Sequence, residues 1–265
     1  MRRTLAVGVR RVDIEVRQFF RDRGSAVFNF ALPMVLLVIF GSVFGSQKLG
    51  ETSISLAQYF LAGMIASGVL YTSFQNLAIA IPMEREDGTL KRLKGTPMPL
   101  ASYFLGKIGM VFVAYAAQLV IVLAVGLVLY QVDLPRTPGR WLVFGWVSLL
   151  GLTACTLLGI AFSVVPRHGK GASAIVAPVV LVFQFTSGVF FRFIDLPRWM
   201  QQFSAVFPLK WLTQAMRYVF LPDEGRTIEA TGRWELGKCA LVLGAWVVAG
   251  FVLAVSLFRW SPRGE

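Results

Sequence analysis

Histidine and cysteine are almost missing from this chain: His168, Cys155 and Cys239 are the whole supply in 265 residues. With so few soft or imidazole ligands, neither a metal cluster nor a disulfide framework is expected. Both Cys lie in or at the start of apolar segments and read as small buried hydrophobes. Acidic residues are scarce as well, 14 against 26 Lys and Arg. No paired carboxylates and no nucleophile beside a base can be picked out, so no catalytic residue is assigned and the chain is not expected to be an enzyme. His168, in Pro166-Arg167-His168-Gly169-Lys170-Gly171, reads as part of a basic turn. Gly232 to Cys239 matches the nucleotide-binding spacing G-x-x-x-x-G-K, but Cys239 replaces the Ser or Thr that would hold magnesium and no strand precedes it, so no nucleotide site is read there.

Charge is missing over long distances too. Residues 26–45, 57–82, 108–130, 141–165, 173–191 and 239–258 contain no Asp, Glu, Lys, Arg or His. At about 1.5 Å per helical residue, each meets or nearly meets the roughly 20 residues needed to cross a ~30 Å hydrocarbon layer. Only 15% of residues are charged, 56% are hydrophobic and mean hydropathy is +0.66, far from a soluble domain. The expected fold is an all-α integral membrane protein with six transmembrane helices, a single transmembrane domain over 1–265. Little length is left for a second folded domain. Ion-coupled carriers usually keep ionisable groups at membrane depth; their absence from these stretches predicts that any uphill transport draws its energy from outside the membrane.

The basic residues cluster at the ends of the stretches, which speaks for topology signals and anionic-lipid contacts rather than nucleic acid. The first 25 residues hold seven Arg and no apolar core, unlike a secretory signal peptide. Leu5, Val9, Val12, Val16 and Phe19 recur at helical spacing, predicting an amphipathic helix on the cytoplasmic membrane surface. Segments 1–25, 83–107, 166–172 and 259–265 carry 16 of the 26 Lys and Arg, so both termini are expected inside. Residues 192–238 include an apolar run, Trp199 to Leu221, broken by Pro208, Lys210 and Arg217. A full crossing there would put two cations and a Pro in hydrocarbon, so two short helices that dip into the outer leaflet and return are predicted.

The loop Met83-Glu84-Arg85-Glu86-Asp87-Gly88-Thr89-Leu90-Lys91-Arg92-Leu93-Lys94-Gly95-Thr96-Pro97-Met98-Pro99 places acids before a basic, leucine-bearing segment and ends it with prolines, the pattern of a short helix matched to its own dipole. It resembles the E-R-E-x-G-T-L-x-x-L-x-x-T-P loop of ATP-binding-cassette (ABC) type-2 exporter permeases. Ser187-Gly188-Val189-Phe190-Phe191, Leu196-Pro197, Pro208-Leu209 and Met216-Arg217 resemble the same family's fifth-span ending and outer loop, in the right order. The resemblance implies a six-span subunit of the bacterial plasma (inner) membrane that pairs with a second permease copy or homologue. It implies docking onto separate ABC ATPase subunits, which bind ATP and magnesium; this chain would bind no cofactor. It further implies that Glu84, Arg85, Glu86, Gly88, Thr89, Leu90 and Leu93 contact the ATPase. Lys91 stands where the family often has Glu, so the partner surface is expected to be more acidic.

ATP-driven export of a hydrophobic or amphipathic substrate, of the drug, lipid or glycan-lipid class, is therefore the first reading. A secondary carrier or channel is the alternative, without the intramembrane charges or repeats it would need. A membrane-bound lipid-modifying enzyme is a third, with Asp195, Asp223 and Glu224 as its outer candidates. For a pathway between subunits, the polar and aromatic positions of the second and fifth stretches are the candidates: Tyr71, Thr72, Phe74, Gln75 and Asn76, with Phe183, Gln184, Thr186 and Ser187. Phe190 and Phe191, at the end of the fifth stretch, are candidates for an outer gate.

Overall fold

A computed structural model describes residues 2–50 and 52–258, apart from the side chains of 2–6, 23, 25, 26 and 28. The described residues are nearly all helical, with one isolated antiparallel bridge, Lys48 to Ser55, and no strand. Helix α1 (Arg2–Arg21) and α2 (Arg23–Phe44) are followed by α3 (Leu56–Leu70), a π-helical turn (Tyr71–Gln75) and α4 (Asn76–Glu86), which run on as one rod. Then come α5 (Thr89–Lys94), α6 (Leu100–Tyr130), α7 (Pro138–Phe162), α8 (Ala172–Thr186), α9 (Arg198–Val206), α10 (Pro208–Phe220) and α11 (Leu236–Leu257).

Four helices are long and apolar enough to cross a membrane: Leu56–Glu86, Leu100–Tyr130, Pro138–Phe162 and Leu236–Leu257. Two apolar helices are shorter, Asn29–Phe44 and Ala172–Thr186. The fifth charge-free stretch, 173–191, is thus helical only to Thr186. The chain turns after it, with Gly188 at a φ of 78° that residues with a Cβ rarely adopt. Apolar side chains fill the surface as well as the core. The rod is the core, every residue from Ala57 to Ala78 being buried, while Val120, Val128, Leu181, Phe185, Leu241, Val248 and Phe251 face outward. Such continuous apolar surface marks a membrane environment.

The 31 residues of α6 extend about 46 Å, more than a hydrocarbon layer requires. Its first two turns project at the end where the basic segments gather, and α1 packs along them, meeting α6 at Gly106 and Gly109. Of the expected apolar face of α1, Val12 meets Gly109 and Val16 and Phe19 pack on the core, but Val9 is 69% exposed and the charged Arg11 and Glu15 turn inward beside them. The side chain of Leu5 lies outside the described residues.

The opposite end is capped by 192–238. Helices α9 and α10, 9 and 13 residues long, are too short to cross singly. Phe207, between them, lies against Phe183 and stacks on Trp246 near the middle of α11, at ring distances of 4.6 and 6.0 Å. The far end of α10 returns to the starts of α3 and α7: Gln58 Nε2 donates to the Phe220 carbonyl at 2.7 Å, and Arg140 donates to that of Leu221. Pro208, at the first turn of α10, costs no helical hydrogen bond there.

Candidate coupling site at the basic end

At the end where α1, α4 and α6 meet, Lys107 lies 1% exposed between two carboxylates. Its ammonium donates to Glu15 Oε2 at 2.8 Å and to Glu84 Oε1. Arg11 pairs with Glu15 at 2.5 Å, and the Tyr103 hydroxyl donates to Glu84 Oε2 at 3.0 Å. Both cations also stand over the Tyr103 ring, Lys107 at 5.4 Å and Arg11 at 6.0 Å. Two acids and two bases therefore cancel in a buried cluster beside a polar cavity, where an unpaired charge would be destabilising. The cluster fastens three segments distant in sequence: the N-terminal helix, the end of the rod and the start of α6.

The loop beyond continues the pattern. Arg85 Nη1 donates to the Ser163 carbonyl at the end of α7 (3.1 Å). Glu86 Oε2 accepts from the backbone N–H of Gly169 (2.5 Å) and Lys170 (3.3 Å), holding the α7–α8 turn. Gly88, at φ 78°, reverses the chain, and Asp87 Oδ1 accepts from Thr89 N–H at 2.8 Å to start α5. Leu90 is fully buried and Leu93 half-buried against the core. The acidic residues and Leu90 thus attach the loop to its own chain. What α5 and the following turn present outward is Lys91, Arg92, Lys94, Thr96 and Pro97. Of the residues expected to touch a partner, Glu84, Arg85 and Leu90 have buried side chains, Glu86 is exposed but bound to the next loop, and Gly88, Thr89 and Leu93 are half-buried.

The candidate pathway residues lie inside the chain. Thr72 Oγ1 donates to the Gly68 carbonyl (2.8 Å), Thr186 Oγ1 to that of Val182 (2.9 Å), and Ser187 is fully buried. Tyr71 and Gln184 are buried as well. Phe74 meets Phe162 and Phe183 at 5.4 and 6.2 Å, and Phe74 and Phe183 line an apolar cavity of about 420 Å³ between α7, α8, α10 and α11. Gln75 and Asn76 line a separate polar cavity beside Lys107. The two gate candidates diverge: Phe190 is buried against Phe40 of α2 at 5.5 Å, while Phe191 is 54% exposed.

The second family-like motif closes on itself. Arg217, from α10, donates to both oxygens of Glu229 (2.6 and 3.2 Å) and to the Gly188 carbonyl (2.9 Å). Tyr59 of α3 donates its hydroxyl to Gly188 and Phe191 carbonyls at 2.8 and 2.9 Å. Lys210 is buried too, its ammonium on Gln214 Oε1 at 2.6 Å and 3.5 Å from the Trp211 ring centre. Buried charge is therefore present in the segments between the charge-free stretches, where it is paired or capped.

Glu15, Lys107, Tyr103, Tyr59 and Glu229 escaped the sequence reading. Lys107 carried a signal: it is the one cation abutting the charge-free stretch 108–130 on its N-terminal side, and a Lys there needs an acid nearby.

These features, a nearly all-helical apolar bundle with its charge gathered toward the ends, define an integral membrane protein. The chain belongs to the ABC-2 type transporter family, whose sequence profile matches residues 12–221. It is 22% identical to the putative transport permease ycf38 of Porphyra purpurea, over 89% of this chain and 85% of that protein. It is also 22% identical to the inner membrane transport permease YadH of Escherichia coli K12, over 93% and 90%. With the probable multidrug ABC transporter permease YbhR of the same organism it shares 24% identity, over 66% of this chain and 46% of that protein.

Proposed function

We propose that this chain is the membrane subunit of an ATP-driven exporter in a bacterial inner membrane. It crosses six times with both termini cytoplasmic, works beside a second permease copy or homologue, and relies on separate ABC ATPase subunits for ATP and magnesium. The observation that carries this reading is the 83–99 loop. It is rigidly tied to α1, α6 and the α7–α8 turn through Glu84, Arg85, Glu86 and Leu90, and it offers a basic face to the outside.

In this proposal the named loop residues act in two ways. Glu84, Arg85, Glu86 and Leu90 transmit motion into the bundle, while Gly88, Thr89 and Leu93 shape the surface on which Arg92 and Lys94 meet an acidic cleft. A pull on α5 then moves the rod and α6 together. The cargo is hydrophobic or amphipathic, and Tyr71, Thr72, Phe74, Gln75, Asn76, Phe183, Gln184, Thr186 and Ser187 line its route once the subunits part. Phe191, the exposed member of the pair, closes the outer side against its copy, and Phe190 supports it from behind.

Co-expression with the partner ATPase tests the reading. Hydrolysis by the reconstituted complex is expected to depend on the permease, and Arg92→Glu with Lys94→Glu is expected to lower complex recovery and hydrolysis about tenfold or more, since charge reversal juxtaposes like charges. Full recovery and hydrolysis in the double variant would remove the docking role.

A further inference from the structure

We propose that the polar cavity at the basic end, between α1, α4, α6 and the start of α8, binds the cationic head group of an amphipathic molecule. The inference rests on the transport reading and names the chemical class of its cargo. The cavity has a volume of about 360 Å³, and among the described residues that line it are the acids Glu15, Asp22, Glu84 and Asp87 and one base, Lys107.

Within the closed cluster, Arg11 and Lys107 cancel Glu15 and Glu84. At the exposed rim, the Asp87 carboxylate accepts from the neutral Thr89 N–H and makes no ion pair among the described residues, the nearby Arg92 guanidinium donating to the Asp87 backbone carbonyl at 3.3 Å instead.

A second observation is independent of the acids. The side-chain amide of Gln75, which lines the cavity on a residue only 5% exposed, makes no hydrogen bond among the described residues. Its neighbour Asn76, 9% exposed, has only a 3.7 Å contact from its amide nitrogen to the Met110 sulfur, a weak acceptor. These amide groups open on the cavity rather than being sealed in, so their unused hydrogen-bonding positions are available to whatever enters it. Gln75 also ends the π-helical turn, and such turns occur frequently at functional sites.

The remaining wall is apolar, with Phe19, Ile79, Met83 and Met110. Carboxylate, amide oxygen and an aromatic ring together suit an alkylammonium, whose charge is stabilised by the first and third and whose chain lies on the aliphatic side chains. An anion would meet the carboxylates.

Cys155 and Cys239 are buried, so a cysteine introduced at the exposed cavity residue Ser173 provides a local probe. The full chain carrying Ser173→Cys is placed in lipid nanodiscs, and maleimide labelling is timed with dodecyltrimethylammonium or dodecyl sulfate, which share one alkyl tail. The cation is expected to slow labelling several-fold and the anion to leave it unchanged. Adding Asp87→Asn, at an exposed loop position, is expected to remove most of the protection, and Gln75→Leu to weaken it.

Equal slowing by both amphiphiles, slowing by the sulfate alone, no slowing by either, or protection that survives Asp87→Asn overturns the proposal. Labelling needs no ATPase. Absent protection alongside intact hydrolysis in the complex therefore strikes the cavity alone, and protection without any coupling strikes the transport reading.

Discussion

Lys107 shows how a single residue governs an end of the molecule. Replacing it with Met leaves Glu15 and Glu84 facing each other without the ammonium between them, and breaking a buried pair in this way costs about 3–5 kcal/mol. Lys107→Met is expected to lose most of its folded yield in detergent. Adding Glu84→Met is expected to recover much of it, because Glu15 keeps Arg11 as partner. Size-exclusion recovery and thermal unfolding of the single and double variants check this, and a double variant worse than the single one contradicts it. Gly159 is a second sensitive position. A Cβ there would lie 2.8 Å from the Phe74 carbonyl oxygen and 2.9 Å from its Cα, backbone that cannot easily move. Gly159→Ala is accordingly expected to destabilise by about 1–3 kcal/mol, read as a lowered melting temperature.

At the scale of elements, the helices were largely legible and their faces were not. The charge-free stretch 57–82 became the continuous rod 56–86, and the break at Pro208 did divide two short helices. Apolar length and Pro act locally, so sequence carries them. Which side of α1 turns inward depends on α6, about 90 residues away: Lys107 draws Glu15 inward, and Glu15 brings Arg11 with it. The coupling loop was legible as a segment for the same reason, whereas the burial of Glu84 and Leu90 follows from contacts with Tyr103, Lys107 and the core. The π-helical turn had no sequence signal that was read. The outer segment gives the element-scale prediction. Arg217 uses a planar fork on Glu229 and a further N–H on Gly188, which a lysine cannot reproduce. Arg217→Lys is expected to loosen 192–238, seen as faster amide exchange there while α6 stays protected. Unchanged exchange would show that the charge alone suffices.

For the whole molecule, all described contacts agree with one arrangement of ends. Phe258, after α11, packs on Tyr103 and Phe104 at the start of α6, at ring distances of 5.6 and 5.4 Å, so the last helix finishes beside the coupling site. Arg259 and Arg263, part of the topology argument, lie outside the described residues. Single cysteines at the exposed positions Thr96 and Thr227 test the orientation. In intact cells an impermeant maleimide is expected to label Thr227→Cys and spare Thr96→Cys, and the reverse pattern would invert the assignment.

The π-helical turn in the rod sets a phase. A π turn holds an extra residue relative to the regular helix on either side, and each residue of a regular helix advances the side-chain direction by about 100°. The upper half of the rod, with Tyr59 locked to Gly188, and the lower half, with Glu84 beside Lys107, are therefore in register with their separate partners only because the wider turn absorbs that residue. Were Tyr71–Gln75 to run as a regular α-helix at the same length, Glu84, Arg85 and the attached loop would swing by about 100° about the rod's axis, whereas deleting Ser73 would remove the surplus and leave them in place. The deletion should accordingly keep both ends on their partners, and a residue added elsewhere in the rod should give a molecule whose two ends no longer share a clock.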